Sequence, residues 1–229
     1  MKTIGVLGGM SWESSLEWYR LANQQVHARL GGHHSARILL DSLDFAEIEA
    51  LQALDDWEAA GALLASRAAA LEGAGAELLV LCTNTMHLVA DRITDAVGIP
   101  FLHIADVAGS AVAEAGVSTV GLLGTAFTME RPFYADKLAE HGIRTIVPDA
   151  DDRRIVHDVI YDELVHGVVR DESRQRYIEI VERLVAQGAE GVILGCTEIE
   201  LLLSASDVSV PVFPTTALHV AAAVEAALG

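Results

Sequence analysis

Three residues of this 229-residue chain have the type and placement to do chemistry: Cys82, Thr83 and Cys196. Each cysteine follows a short apolar run, Leu78–Leu81 or Val192–Leu194, and opens a turn of small polar residues, Cys82-Thr83-Asn84-Thr85 or Cys196-Thr197-Glu198. A thiolate can take a proton from a carbon acid. The ordinary cysteine pKa of ~8.5 is within reach of neutral pH, and helix N-terminal dipoles lower it further. A threonine hydroxyl can donate a proton or relay one from water, but it is a weak base. Cys196 after its strand, at the start of a following helix, is expected to have a lowered pKa.

The elements that must position these residues are written twice. Thr3-Ile-Gly-Val-Leu-Gly8 is answered by Thr119-Val-Gly-Leu-Leu-Gly124, Gly75–Thr83 by Gly188–Cys196, and Ile99-Pro-Phe101 by Val210-Pro-Val212, at a nearly constant spacing. The middle pair sets Thr83 opposite Cys196. Cys82 stands one residue early, and because side chains alternate along a strand it should point away from the face that Thr83 presents. Catalysis is therefore assigned to Thr83 and Cys196, with Cys82 a core thiol.

Eight apolar runs read as buried parallel strands: Thr3–Leu7, 37–40, 78–81, 100–103, 119–123, 144–147, 192–194 and 211–213. Helical spacing lies between them, as in Leu16, Tyr19, Leu21, Val26 and Leu30, or Tyr177, Ile180, Val181, Leu184 and Val185. The expected fold is α/β: two pseudosymmetric lobes, each a mainly parallel sheet flanked by helices, with an active-site cleft between them. Residues 1–107 with 208–229 are expected to form the first lobe and residues 108–207 the second. Ligands of such sheets collect at the carboxyl ends of the strands. The turns there, at Gly8–Ser11, Cys82–Thr85, Gly124–Thr128 and Gly195–Glu198, are rich in Gly, Ser, Thr and Asn. Together they suit a carboxylate, although each alone reads as an ordinary helix cap.

Several classes are excluded. Gly5-Val-Leu-Gly8-Gly9 is not G-x-G-x-x-G, and no phosphate-loop motif occurs. The nine histidines and two cysteines form no metal-ligand spacing, so no metal is expected. A formal charge of −18 opposes nucleic acid and anionic membrane surfaces. No apolar stretch is long enough for a membrane helix, and the N-terminal run is too short for a signal segment, so the expected location is cytoplasmic, with reduced cysteines.

Gly5-x-x-Gly-Gly-Met-Ser11, Asn84-Thr85 with His87 two places on, Gly124-Thr125 and Gly195-Cys-Thr-Glu198, in this order, resemble the aspartate/glutamate racemase family. The run Leu81-Cys-Thr-Asn-Thr-Met-His87 resembles the broad-specificity amino-acid or L-aspartate/glutamate-specific branch. The resemblance implies a PLP-independent isomerase, commonly a homodimer, with no cofactor. Two groups would flank the Cα of an α-amino acid, one removing its proton and the other supplying a proton to the opposite face. It also implies a substrate carboxylate held by Thr83, Asn84 and Thr85, with Thr197 and Met10 nearby. The family's usual first cysteine is Thr83 here, which predicts lopsided chemistry, with the L-enantiomer favoured. The loop after the second strand, Asp41–Glu49, lacks the arginine of acidic-substrate members. Gln52 is a neutral donor that could meet a polar side chain, or an exposed helix residue. Two other readings stay open: a single-cysteine decarboxylase or cis-trans isomerase of small dicarboxylates, and a non-catalytic amino-acid binding module.

Overall fold

Strand β1 (Ile4–Gly8) is buried at every residue, as a continuous apolar run covered on both faces requires. The computed structural model describes residues 1–229 and divides the chain into two units, Met1–His103 with His219–Gly229, and Ile104–Leu218. In the first unit β1 is followed by α1 (Trp12–Leu30), β2 (Ile38–Ser42), α2 (Phe45–Ala53), α3 (Trp57–Gly73), β3 (Leu78–Leu81), a 3-10 turn (Thr85–Val89), α4 (Ala90–Thr94) and β4 (Phe101–Leu102). The second unit holds α5 (Ile104–Glu114), β5 (Thr119–Gly124), α6 (Ala126–Glu130), α7 (Pro132–Glu140), β6 (Arg144–Ile146), α8 (Ala150–Asp162), α9 (Asp171–Ala186), β7 (Gly191–Gly195), α10 (Ile199–Leu202) and β8 (Val212–Pro214). Helix α11 (Thr215–Leu228) starts in the second unit, and from His219 on it belongs to the first.

Each unit has one four-stranded parallel sheet, ordered β2-β1-β3-β4 and β6-β5-β7-β8. The repeated sequence therefore encodes the same sheet twice. Strand alternation sorts β3 cleanly. Leu79 and Leu81 lie in the layer with Ile48, Ala60, Leu64 and Ala68 from α2 and α3. Leu78, Val80 and Cys82 lie in the opposite layer with Trp18, Val26, Val220 and Val224 from α1 and α11. Cys82 is thus packed in the core, one residue out of phase with Leu81, as the alternation argument anticipates.

The boundaries differ from the expected ones. Strand β8 hydrogen-bonds β7, and Phe213 packs with Ile104, Ala105 and Ala108 of α5 in the second unit's core. Residues 104–107 and 208–218 consequently belong to the second unit rather than the first. The buried face of α1 also differs. It runs through Ser14, Ser15, Trp18, Ala22 and Val26, while Leu16, Tyr19 and Leu30 are exposed. The apolar spacing finds the helix but not its inner face, because the first turn packs small hydroxyls against the β1 loop.

That loop is tightly made. Ser11 caps α1 by accepting from Ser14 N–H, Gly9 N–H donates to Ser15 Oγ at 2.7 Å, and Leu43 N–H donates to Gly8 C=O at 3.0 Å. Gly9 has φ +87°, and a Cβ there would press on the Leu43 backbone. Only glycine meets both demands. Gly9→Ala should lower the thermal unfolding midpoint by at least about 3 °C, read by calorimetry; an unchanged midpoint would contradict the close approach.

Candidate active site

Parallel pairing aligns the carboxyl ends of neighbouring strands. In the first unit Leu7 pairs Leu81, so the Gly8–Ser11 loop and the Cys82–Thr85 turn emerge side by side. Cys82 N–H makes the last link, to Leu7 C=O at 2.8 Å. Thr83 is half-buried, while Met10, Asn84 and Thr85 are buried. Gln52 on α2 is not the exposed helix residue that remained an alternative. It is 5% exposed, and its Nε2 donates to Met86 Sδ at 3.1 Å. The structure thus gathers Met10, Gln52, Thr83, Asn84 and Thr85 at one end of the first sheet.

His87 reinforces this turn. It is 2% exposed, with Nδ1 2.7 Å from Thr83 C=O. Burial, then the neighbouring His103 and His219 rings, holds its pKa well below the ordinary histidine value, against backbone hydrogen bonds that raise it. His219 Nε2 donates to Leu102 C=O at 2.9 Å, and burial lowers its pKa to about 4. Sequence spacing misses this group, since the three histidines come from the 3-10 turn, the end of β4 and α11. No group of three His, Cys, Asp or Glu side chains in the chain could hold a metal ion.

In the second unit Leu123 pairs Leu194 and Gly124 pairs Gly195, again setting two turns side by side. Thr125 and Thr128 repeat the hydroxyl pair of Ser11 and Ser14: Oγ1 atoms 3.2 Å apart, and Thr128 N–H donating to Thr125 Oγ1 at 3.3 Å. His157 Nδ1 accepts from Ala126 N–H at 3.1 Å. Thr197 Oγ1 is 2.7 Å from Thr216 Oγ1, and Thr215 Oγ1 donates to Leu194 C=O. The start of α11 is thereby tied to the end of β7.

Cys196 is half-buried, and its Sγ–H donates to Glu198 Oε2 at 2.9 Å. Its pKa is not lowered, contrary to the expectation from a helix N-terminus. Burial comes first, and the Glu198 charge and hydrogen bond add to it, so the thiol stands well above its ordinary value. Helix α10 is only Ile199–Leu202, too short to offset a carboxylate in contact. Cys82 is raised too, by burial alone, but it has no carboxylate partner among its core neighbours. Of the two thiols, Cys196 alone combines partial exposure with a proton acceptor. The signal was the Cys-Thr-Glu spelling, which strand reasoning reads only as a turn.

A family model described as Asp/Glu/Hydantoin racemase matches residues 7–223. The chain belongs to this racemase family. Among solved structures, a candidate Asp/Glu racemase from Yersinia pestis is 52% identical with TM-score 0.94, each chain covered over 100%. An aspartate racemase homologue from Pyrococcus horikoshii is 33% identical with TM-score 0.88, again over 100% of both. An aspartate racemase from Picrophilus torridus, 22% identical with TM-score 0.79 over 99% of this chain and 94% of that one, shares the fold. The racemase fold of two parallel sheets is thus present in full, and no helix is long and apolar enough to cross a membrane.

The Glu198 contact has a measurable consequence. Both its charge and its hydrogen bond favour the thiol over the thiolate, so removing the carboxylate must lower the Cys196 pKa. Glu198→Gln should make Cys196 alkylate faster at pH 8 in the folded protein, with Cys82 unmodified in both forms. Mass spectrometry of the labelled cysteines reads this out; equal rates would remove Glu198 as the cause.

Proposed function

We propose that this racemase-family chain inverts α-amino acids, aspartate, glutamate or another polar one, without PLP or metal, by moving the Cα proton between Cys196 and Thr83. The observation that carries the reading is the Cys196–Glu198 pair: a thiol with a built-in acceptor at the end of β7. Glu198 takes the thiol proton, the thiolate takes the Cα proton, Thr83, or a water relayed by it, returns a proton to the opposite face, and solvent carries the Glu198 proton back to Thr83. A raised thiol pKa is hard on ionisation but makes the thiolate a stronger base once formed, which a weakly acidic C–H requires. The substrate ammonium brings a positive charge that offsets Glu198 and favours the thiolate.

The α-carboxylate is assigned to the backbone N–H groups and side chains of Thr83, Asn84 and Thr85, with Met10 and Thr197 alongside. Gln52, buried beside Met86, is assigned to the polar side chain, in place of the arginine that the Asp41–Glu49 segment lacks. A Schiff base is disfavoured by the lysines present: Lys2 is exposed, and Lys137 is ion-paired with Glu140 and Asp106. The assigned location is cytoplasmic.

Incubating single enantiomers of aspartate and glutamate in heavy water tests the chemistry. Cα deuterium with inversion is expected, faster from the L-form; carbon dioxide release marks a decarboxylase, and neither marks a binding module. Cys196→Ser should abolish inversion. Thr83→Cys should raise exchange from the slow enantiomer by ~10²-fold or more. Equal exchange rates for both enantiomers in the unmodified protein would withdraw the lopsided assignment.

The reading includes a homodimer. On α1, Trp12, Leu16 and Tyr19 are 63%, 56% and 49% exposed at positions one helical face apart, an apolar stripe suited to its own copy across a two-fold axis. Leu16→Glu should shift the protein to monomers in analytical ultracentrifugation, and an unchanged mass would discard this face.

A further inference from the structure

We propose that His87 is a positioning residue for the Thr83-Asn84-Thr85 turn: the N–H it gives to the Thr83 carbonyl sets where that turn presents its hydroxyl and backbone donors. This deepens the racemase reading and rests on it.

The need for such a residue follows from where the sheet stops. The β1–β3 register ends at Leu7 and Leu81, and Cys82 N–H to Leu7 C=O is its last hydrogen bond. Thr83 lies one residue further on, where no neighbouring strand holds the chain. The His87 side chain takes over there, 2.7 Å from Thr83 C=O. A carbonyl only accepts, so Nδ1 carries the hydrogen and the tautomer is fixed. The ring is also fixed in place: Phe101, His103 and His219 surround it with centroids 5.6, 4.5 and 6.3 Å away, and His219 is itself tied to Leu102 C=O. Burial keeps His87 and His219 neutral, which preserves the single donor at Nδ1.

The second unit handles the corresponding turn differently. Four residues after Cys196 stands Glu200, as His87 stands four after Thr83. Glu200 Oε1 accepts from Thr216 N–H at 2.8 Å instead of supplying a donor to its own turn. The histidine brace is therefore specific to the half that carries the weak acid-base group. A hydroxyl without easy access to an anionic form depends on orientation more than a thiolate does, so the brace sits where misplacement costs most.

Three substitutions in the full chain separate positioning from packing. His87→Asn keeps an amide N–H where Nδ1 was, His87→Gln moves it toward the Nε2 position, and His87→Phe keeps the ring without a donor. Turnover of L- and D-aspartate and glutamate, the thermal midpoint, and ¹⁵N shifts of the 83–85 amides are measured for each, and the ring ¹⁵N shifts of His87 are measured in the parent. The Phe and Gln variants should lose roughly 10- to 100-fold in kcat/KM, the Asn variant should stay within a few-fold of the parent, and His87→Phe should add little to Thr83→Ala. Losses that simply follow the thermal midpoint, full activity in His87→Phe, or an Nε2–H tautomer would overturn the proposal. If the parent protein exchanges no Cα proton, the racemase reading fails by itself. The positioning claim is then decided by the amide shifts: displacement of 83–85 in the Phe but not the Asn variant supports it, and no displacement in either rejects it.

Discussion

A parallel sheet buried on both faces has to leave its polar business at one edge. Its strands are apolar along their length, so the backbone groups that run out of ladder partners at the carboxyl ends must be met by turns, hydroxyls and side chains. In this chain the order β2-β1-β3-β4, repeated as β6-β5-β7-β8, makes the two central strands of each sheet neighbours. Their turns are therefore neighbours as well. The paired hydroxyls Ser11–Ser14 and Thr125–Thr128, the Asn84-Thr85 turn and the Thr197–Thr216 contact all answer that one constraint.

On this common frame the two units have diverged in chemistry while keeping their geometry. Thr83 and Cys196 occupy matching places after matching strands, as do His87 and Glu200. The first unit sets two buried, neutral histidines, His87 and His219, beside its turn, and the second places a carboxylate against a thiol. The second arrangement trades ease of ionisation for basic strength. A thiol in an electropositive pocket would ionise readily yet make a weaker base, a balance suited to attack on a carbonyl more than to removal of a proton from carbon.

Much of this frame was legible in the chain. The strands could be read because parallel, doubly covered strands are continuously apolar, and the place of Cys82 because a one-residue shift moves a side chain to the other face of a strand. The repeat carried the topology across both halves. Long-range and electrostatic features were not legible. Nothing local announces that His87, His103 and His219 meet, since they are brought together by a turn, a strand end and a distant helix. The raised Cys196 pKa depends first on burial and then on the Glu198 contact at 2.9 Å, whereas the sequence offers only a strand followed by a helix. The inner face of α1 was misread because serines, rather than leucines, fill the first turn. The unit boundary was misplaced because β8 pairs with β7, and pairing partners are not written in a short run such as Val212–Pro214.

The split course of the first unit orders events during synthesis. Its layer over Ile4, Val6, Leu78 and Val80 is completed by Val220, Ala223, Val224 and Ala227, which leave the ribosome after every other strand and helix of the chain. Residues 104–218, by contrast, emerge as one uninterrupted stretch with a core of their own. The nascent N-terminal strands therefore have that face covered only in part, by Trp18, Ala22 and Val26 of α1, while the later-made unit has all its parts. Completion of the first unit thus hangs on a helix more than a hundred residues distant in sequence, and α11 acts as the latch that closes the layer α1 begins.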